Sequence, residues 1–348
     1  MNHSLIPEFS IGNRKVGINH PPLVIAEIGI NHNGDEVKAL KMIDAAAKTG
    51  CECVKLQTHI INEEMIKNSV IPGNSKETIW DIINKCSLSK NSELRIKKYA
   101  EQKGLIFLST PFSKAAANRL FDMGVSAFKI GSGECNNYPL VEHIAKFGKP
   151  IILSTGMNDL KSISKSVEII RKNNVPFALL HCTSVYPTPY HLIRLGSITQ
   201  LQKHFPDAVT GLSDHSLSNY PCLGAVSIGA SILERHFTYS KSLSGPDINI
   251  SMNPKDLKHL IEGSRIIFQS RGGFKSIIKE EAPTIKFAYG SVVAIKSIKT
   301  NDTLTEKNIG IKRPGTGEIL AKDFNTLIGR KIKTVIKKDN QLCWNQIK

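Results

Sequence analysis

The chain contains no apolar run of the roughly 20 residues that a helix needs to cross a bilayer. Its first residues, Met1 to Glu8, include no basic segment leading into an apolar stretch, so they do not resemble a secretory signal. Basic runs with interleaved aromatic residues are also lacking, which argues against a nucleic-acid partner. These absences predict a cytoplasmic protein that binds neither membrane nor nucleic acid.

Cysteine pairs with the spacing of a structural site are lacking as well. The seven cysteines are an odd number, and Cys51 and Cys53 are separated by one residue rather than the two or more of a zinc knuckle. We therefore predict reduced cysteines that mostly fill the core. The formal net charge of +16 is spread along the whole chain. It indicates either a solvated basic surface or a field that attracts anionic substrates.

Eight short apolar runs alternate with helical patterns. We predict strands at Leu23–Ile28, Cys53–Gln57, Leu105–Ser109, Ala127–Gly131, Pro150–Ser154, Phe177–His181, Ala208–Leu212 and Ser231–Phe237. Helical patterns lie between them at Val37–Lys48, Asn91–Gln102, Lys114–Asp122, Tyr138–Lys146, Ser162–Lys172 and Tyr220–Gly229. The alternation predicts an α/β fold, a TIM (β/α)8 barrel followed by a small C-terminal domain. An open doubly wound sheet is the alternative, although the first helix lacks the Gly-x-Gly-x-x-Gly turn of its dinucleotide-binding form.

The 348 residues are too many for one ordinary core and suit a barrel with a small module. We predict an irregular N-terminal cap segment, a catalytic barrel, a linker and a small domain, at residues 1–20, 21–268, 269–283 and 284–348. In the small domain, Ser291–Ile298 and Ile332–Ile336 have β-like patterns. The long stretch Thr58–Lys90 predicts a cover for the site or a subunit contact.

Charged side chains occur inside several predicted strands. Lys55 and Gln57 alternate with apolar neighbours and so face the barrel interior, and Lys129 repeats the pattern two strands later. A buried lysine needs an anion nearby. The lysines and neighbouring hydroxyls (Ser109, Thr110, Ser132, Ser154, Thr155) therefore predict a cradle for phosphate or carboxylate. For each lysine alone, a structural Lys–Glu pair is the alternative, and for Glu27, which lies inside an apolar run, the alternative is a structural salt bridge.

Three further side chains suggest catalysis. Glu134 follows Gly131 and Gly133, where the backbone can approach a ligand, and is a candidate general acid or base. His215 and His236 come just past two strands and could hold one divalent ion such as Mn²⁺ with water and substrate oxygens. Asp214 and Glu234 would then orient the imidazoles. The structural alternatives are a loop salt bridge for Glu134 and core histidines bonded to the backbone.

Eight stretches, in this order, resemble the sialic acid synthase family. They are Ile25–Gly34, Val54–Thr58, Ser109–Phe112, Phe128–Glu134, Ser154–Met157, Tyr186–Pro189, Gly211–His215 and Glu234–Thr238. Lys312–Gly315 resembles part of the antifreeze-like (SAF) domain of these synthases. The resemblance implies that phosphoenolpyruvate condenses with N-acetylmannosamine and water to give N-acetylneuraminate and phosphate by C–O cleavage.

The resemblance also implies roles for individual residues. His215 and His236 would bind Mn²⁺, or another divalent cation such as Mg²⁺ or Co²⁺. Glu27 and Glu134 match acidic catalytic residues, and Glu134 would transfer a proton involving the attacking water. Phosphoenolpyruvate contacts are implied for Lys55, Thr110, Lys129, Ser132, Ser154, Ser184 and Ser213. Sugar contacts are implied for Gln57, Tyr186, Asp247 and Arg313, the last reaching across from the partner subunit of a domain-swapped homodimer.

The sequence departs from the family pattern at a few positions. Ser184 stands where the N-acetylneuraminate enzymes often carry Asn, and Tyr239 replaces a common acidic residue. Gly245-Pro246-Asp247 resembles the branch that uses N-acetylmannosamine rather than pseudaminate synthases. The alternatives are the same chemistry on a legionaminate precursor or N-acetylmannosamine 6-phosphate, a non-catalytic sugar-binding protein, and a metal-dependent barrel hydrolase.

Overall fold

The structure is a computed structural model that describes residues 6–73 and 75–348. The chain divides into two compact units, of which the first ends at Gly272 and the second begins at Gly273. This division falls inside the segment predicted as a linker. No helix of the described residues is both long and apolar enough to span a membrane.

The strands occupy the predicted positions to within two residues, with additions at both ends of the chain. They are β1 Glu8–Ile11, β2 Arg14–Gly17, β3 Leu23–Gly29, β4 Cys53–Thr58, β5 Ile106–Pro111, β6 Phe128–Ile130, β7 Ile151–Ser154, β8 Phe177–Cys182, β9 Val209–Asp214, β10 Ile232–His236, β11 Ser291–Ala294 and β12 Ile309–Lys312. Strands β3 to β10 form one parallel sheet in the order β5-β4-β3-β10-β9-β8-β7-β6. Because the first and last of these strands pair, and β5 lies beside β6, the sheet curls into a nearly closed barrel. The barrel prediction is confirmed and the open sheet is excluded.

In the first unit, helices follow the strands and pack on the outside of the barrel, and the helix that begins at Ala282 belongs to the second unit. They are α1 Glu36–Ala47, α2 Ile61–Glu64, α3 Ile79–Cys86, α4 Lys90–Gln102, α5 Lys114–Asp122, α6 Tyr138–Ala145, α7 Leu160–Lys172, α8 Tyr190–Ile193, α9 Gly196–His204, α10 Tyr220–Ser227, α11 Pro254–Ser270 and α12 Ala282–Ala288. Sequence reasoning missed α2, α8, α9, α11 and α12. Helix α11 begins with a capping box between Asn253 and Asp256 and continues to Ser270, two residues into the segment predicted as a linker.

Alternate residues of each barrel strand enter two different cores. One core lies between the strands and the helices and includes Val54, Phe128 and Leu233. The other fills the barrel interior and includes Ile25, Cys53 and Ile232. Because side chains two residues apart in a strand point to the same side, Glu27, Lys55, Lys129 and Glu234 face the interior above this second core.

The predicted cap segment is not irregular over its described part. Strands β1 and β2 pair as an antiparallel hairpin, and Phe9, Ile11 and Val16 pack into the interior core of the barrel. The alternation of exposed and buried residues in β1 favours a strand with one buried face. This hairpin therefore fills the N-terminal end of the barrel. Residues 1–5 lie outside the described residues.

The second unit has its own small core around an antiparallel pair. Strands β11 and β12 pair in register, and the core includes Val292, Ile298, Ile309 and Leu342. The predicted strand at Ile332–Ile336 forms isolated bridges only, from Ile336 to Ile298 and from Ile332 to Ile347.

Candidate active site

Two buried lysines and two buried glutamates form an ion cluster inside the barrel. The Lys55 Nζ lies 2.8 Å from Glu27 Oε2 and 3.8 Å from Glu234 Oε1, and Lys129 Nζ lies 3.6 Å from the same Glu234 oxygen. Lys55 donates a hydrogen bond to Thr110 Oγ1 at 2.9 Å, and Lys129 donates one to Ser154 Oγ at 2.7 Å. The structure thus brings both lysines together with a predicted hydroxyl each. It also realises the structural Lys–Glu pairing that sequence reasoning kept as the alternative.

The two glutamates of this cluster differ in charge state. Burial raises the pKa of Glu27 to about 7, and the nearby Lys55 offsets only part of that effect. Burial acts on Glu234 in the same direction, but Lys129 and Lys55 outweigh it and hold its pKa below the ordinary value. The pKa of Lys55 is raised, because Glu234 and Glu27 outweigh the effect of burial. At neutral pH Glu234 is therefore ionised while Glu27 carries part of a proton, which favours a site that accepts an anion.

The two predicted metal ligands lie side by side above the ion cluster. The ring centroids of His215 and His236 are 5.5 Å apart, and the Tyr186 ring centroid lies 4.1 Å from that of His215, with the two planes tilted by 34°. Burial, together with His215 and Lys55, lowers the pKa of His236 well below its ordinary value, so this imidazole is neutral. Its Nδ1 is buried without a hydrogen-bond partner. Asp247 Oδ2 lies 3.6 Å from that nitrogen, and burial raises the pKa of Asp247 to about 6.

A pair of imidazoles with one unsatisfied nitrogen fits a transition ion that keeps open positions for water or substrate. Within residues 6–73 and 75–348, no group of three or more His, Cys, Asp or Glu side chains is arranged to hold a metal.

Cys182 also faces the interior, beside these histidines. Its Sγ lies 3.9 Å from both Ser184 Oγ and His215 Nδ1. Burial alone would raise the pKa of the thiol, but the contact with His215 outweighs it and lowers the pKa. Correspondingly, burial disfavours the charged form of His215, and Cys182 outweighs it and raises the pKa of the imidazole. This cysteine was predicted only as core filling, although its two-residue spacing from the interior Leu180 is a signal that could have found it.

Glu134 lies in the turn that follows β6. Its Oε2 is buried and has no hydrogen-bond partner, and a Cβ atom on Gly131 would lie only 2.8 Å from that oxygen. Glycine at 131 is therefore needed for the carboxyl group to sit where it does. Burial raises the pKa of Glu134 to about 7, with Lys129 offsetting part of the shift. A carboxyl group of this pKa can accept or donate a proton near neutral pH.

Gly156 lies where the side chains of Ser132, Ser184 and Cys182 meet. A Cβ on Gly156 would lie 2.5 Å from Ser184 Oγ, 2.8 Å from Ser132 Oγ and 3.2 Å from Cys182 Sγ. The Gly156 amide donates a hydrogen bond to Ser132 Oγ at 3.0 Å. Ser132 and Ser184 are thus placed at the same wall of the barrel mouth.

A cavity of about 540 Å³ opens over the histidines. It is lined by Gln57, Pro72, Gly73, Ser184, Val185, Tyr186, His236 and Asp247. Gln57 Nε2 donates a hydrogen bond of 3.3 Å to Glu27 Oε1, which connects this cavity to the ion cluster below. Three of the predicted sugar contacts therefore share one wall.

Some predicted residues lie elsewhere or have other partners. Arg313 is exposed at the end of β12, in the second unit. Ser213 Oγ lies 3.4 Å from Glu234 Oε1 and so belongs to the ion cluster. Asp214 does not orient a histidine, because its carboxylate pairs with Arg235 at 3.3 Å and accepts a hydrogen bond from Ser216.

Sequence comparison agrees with this geometry. The profile of the NeuB family matches residues 42–276, which is more than half of the chain. The chain belongs to the NeuB family. The SAF domain profile matches residues 289–348 of this NeuB family chain, within its second unit.

Similar proteins with assigned activities make different products. The NeuB chain is 37% identical to the N,N'-diacetyllegionaminic acid synthase of Campylobacter jejuni, over 92% of this chain and 98% of that protein. It is 31% identical to the human N-acetylneuraminate-9-phosphate synthase, over 94% and 93% of the two chains. The crystal structure of the N-acetylneuraminic acid synthetase of Leptospira borgpetersenii, in complex with citrate, superimposes with a TM-score of 0.75 at 33% identity, over 82% of this chain and 97% of that one.

Proposed function

We propose that this NeuB family chain is an N-acetylneuraminate synthase that condenses phosphoenolpyruvate with N-acetylmannosamine and water. The observation that carries the proposal is the pair of buried lysines, Lys55 and Lys129, with their hydroxyl partners beneath a cavity lined by Gln57 and His236. This arrangement offers a place for a small polyanion and, above it, a place for a polar uncharged molecule.

The ion cluster suits the phosphate and carboxylate of phosphoenolpyruvate. Ammonium and hydroxyl groups are strong donors to such oxygens, and Thr110 and Ser154 already lie within 2.9 Å of the two ammonium nitrogens. Glu27, with its pKa near 7, can take up a proton when the anion arrives and so reduce repulsion. Ser132, Ser184 and Ser213 would supply further donors at the same wall.

His215 and His236 are the residues that would hold Mn²⁺, or Mg²⁺ or Co²⁺ in its place. A divalent ion there supplies Lewis-acid polarisation of the sugar aldehyde oxygen. Neutral His236, with its unsatisfied Nδ1, has a lone pair to offer.

The reaction then forms one carbon–carbon bond and one carbon–oxygen bond from water, uses the carbon–carbon π bond of phosphoenolpyruvate, and breaks the carbon–oxygen bond to phosphate. C3 of phosphoenolpyruvate attacks the aldehyde carbon of the open-chain sugar, water adds at C2, and phosphate leaves. We assign to Glu134 the acceptance of a proton from that water, because its carboxyl group is buried, unsatisfied and titrates near neutral pH. Gln57, Tyr186 and Asp247 would orient the sugar.

The charge of the cavity favours an unphosphorylated acceptor. Among the described residues that line it, none is lysine or arginine, and a phosphate group would need such partners. A second acceptor, N-acetylmannosamine 6-phosphate, is favoured only by a neighbouring cleft of about 620 Å³ that includes Lys76 and Lys85. Lys85 lies 3.9 Å from Glu77, which reduces its availability. The precursor of N,N'-diacetyllegionaminate is a third candidate acceptor, since a relative at 37% identity is an N,N'-diacetyllegionaminic acid synthase.

Phosphate release measures the proposed function directly. With phosphoenolpyruvate and Mn²⁺, we expect turnover with N-acetylmannosamine and slower or no turnover with its 6-phosphate or with 2,4-diacetamido-2,4,6-trideoxymannose. Preference for another sugar would retain the chemistry and change the acceptor. No release with any of the three would refute the proposal.

We further propose a domain-swapped homodimer in which Arg313 serves the site of the partner subunit. The support is the resemblance of Lys312–Gly315 to the SAF domain and the exposure of Arg313 at the end of β12. Mixing inactive Glu134→Ala with inactive Arg313→Ala subunits should restore up to about a quarter of wild-type activity. Random pairing makes about half of the dimers hybrids, and each hybrid has one intact site of its two. A mixture that exchanges subunits, shown by tagged chains, and yet stays inactive would contradict the arrangement.

A further inference from the structure

A chain of buried hydrogen bonds runs from α2 to the wall of the sugar cavity. His59, directly after β4, places its Nδ1 at 2.9 and 3.1 Å from the two Glu64 carboxylate oxygens. Its Nε2 lies 2.9 Å from Gln57 Oε1, and Gln57 Nε2 in turn donates to Glu27 Oε1. The side chains of His59 and Glu64 are 3% and 4% exposed. His59 and Glu64 therefore lie behind the cavity, and Gln57 connects them to its wall.

From this geometry we infer that His59, held by Glu64, is a positioning residue for the acceptor sugar through Gln57. The inference rests on the proposed function, in which Gln57 contacts the sugar. His59 itself has no place in that proposal.

The position of the His59 ring is fixed from two directions. Its face stacks on Phe112, with ring centroids 4.4 Å apart and planes 16° from parallel, and its Nδ1 edge contacts both oxygens of Glu64. A ring held by a stacked neighbour and by a carboxylate has little freedom to turn. It therefore gives the Gln57 amide a hydrogen-bonding partner in a fixed place.

The Gln57 amide has its oxygen toward His59 and its nitrogen toward Glu27. Gln57 Oε1 lies 2.9 Å from His59 Nε2, and the Nδ1 edge of the same ring contacts the Glu64 carboxylate. The amide nitrogen then faces Glu27, which accepts. Turning the amide by 180° would place its oxygen against Glu27 and remove the donor from the cavity side.

Gln57 lies where a small displacement would be felt by the sugar. A Cβ on Gly29, where φ is +56°, would lie 3.5 Å from Gln57 Nε2 and equally 3.5 Å from His236 Cε1. Gln57 and His236 are thus neighbours on one wall of the cavity. Lys55 points the same way from β4 but lies two residues deeper, so loss of His59 should disturb the sugar more than the phosphoenolpyruvate.

The test compares Michaelis constants for the two substrates in His59→Ala. We expect KM for N-acetylmannosamine to rise about tenfold, which corresponds to the loss of one well-placed hydrogen bond to the amide. KM for phosphoenolpyruvate should change by less than about twofold, the scatter expected when a contact is not involved. Glu64→Gln, which keeps the shape but removes the charge, should give a smaller rise, and His59→Gln should restore part of the loss.

A double-mutant cycle separates positioning from general stability. In a Gln57→Ala background, His59→Ala should cause no further rise in KM for the sugar, because its effect passes through Gln57. The matched control is His181→Ala. His181 in β8 is equally buried, lies on the opposite face of its strand from the interior Leu180, and contacts the Ile193 carbonyl oxygen through Nε2. That variant should lose thermal stability without changing the ratio of KM for N-acetylmannosamine to KM for phosphoenolpyruvate.

Three outcomes would overturn the inference: an unchanged sugar KM in both His59→Ala and Glu64→Gln, a parallel rise for both substrates, or additive effects in the cycle. If His59→Ala does not fold, Glu64→Gln and His59→Gln provide the same comparison. Wild-type protein that turns over neither sugar nor phosphoenolpyruvate would remove the proposed function, and the inference with it. Wild-type turnover with unaltered variants would remove the inference alone.

Discussion

Replacing Glu134 by glutamine is expected to lower kcat by about 10²–10³-fold, the usual contribution of a positioned acid or base. The substitution preserves size but removes the proton acceptor whose Oε2 is buried without a partner. Because the pKa of Glu134 is raised to about 7 by burial, the carboxylate form gains population as the pH rises through that value. In the wild type, kcat/KM should therefore increase with pH up to about 7 and then level off. The variant should lack this increase.

A second buried carboxyl group provides the control for that experiment. Burial raises the pKa of Glu93 in α4 to about 7 as well, with Arg119 offsetting part of the shift, but Glu93 lies outside the barrel interior and pairs with Arg119 at 3.0 Å. Glu93→Gln should change stability and leave the pH profile of kcat/KM alone. If kcat/KM of Glu134→Gln still increases with pH up to about 7, as in the wild type, the assignment of the proton acceptor is wrong.

Replacing His236 by alanine is expected to abolish metal-dependent turnover while the protein stays folded. His236 is neutral and has an unsatisfied nitrogen, so its removal takes away one of the two imidazoles that we assign to the ion. Loss of one strong ligand from such a site should weaken Mn²⁺ binding by at least about 100-fold. Electron paramagnetic resonance of free Mn²⁺ measures this directly, without reference to activity, and circular dichroism checks the fold.

The variant His181→Ala again serves as the comparison, because it removes a buried imidazole whose ring contacts a backbone carbonyl. Its Mn²⁺ affinity should match that of the wild type. Full turnover or unaltered Mn²⁺ binding in His236→Ala would refute the metal assignment.

The sequence predicted the barrel well because the signals involved are local. Strand β4 shows this: Val54 and Leu56 are apolar, Lys55 and Gln57 are polar, and the alternation alone places the latter pair inside. The helices were found where glycine follows an apolar stripe, as Gly50 follows α1. Helix α11 was missed because its last turns, around Gln269 and Ser270, carry a mixed pattern that resembles a linker.

The contacts that complete the site are long-range and could not be predicted in the same way. Nothing in the sequence near Glu234 indicates that it pairs with lysines from two other strands. The contact between Cys182 and His215 joins residues 33 positions apart. The hydrogen bond from His59 to Glu64 is local, but its purpose depends on where Gln57 points.

The hairpin of β1 and β2 fills the N-terminal end of the barrel, so the interior opens at the other end, above the ion cluster. Lys55 and Gln57 are two positions apart in β4, about 6–7 Å along the strand. The anion cradle around Lys55 therefore lies below the cavity wall that includes Gln57. In the proposed reaction, a sugar bound at the wall would block the path to the cradle. We therefore expect phosphoenolpyruvate to bind before the sugar and free phosphate to leave after the sugar product.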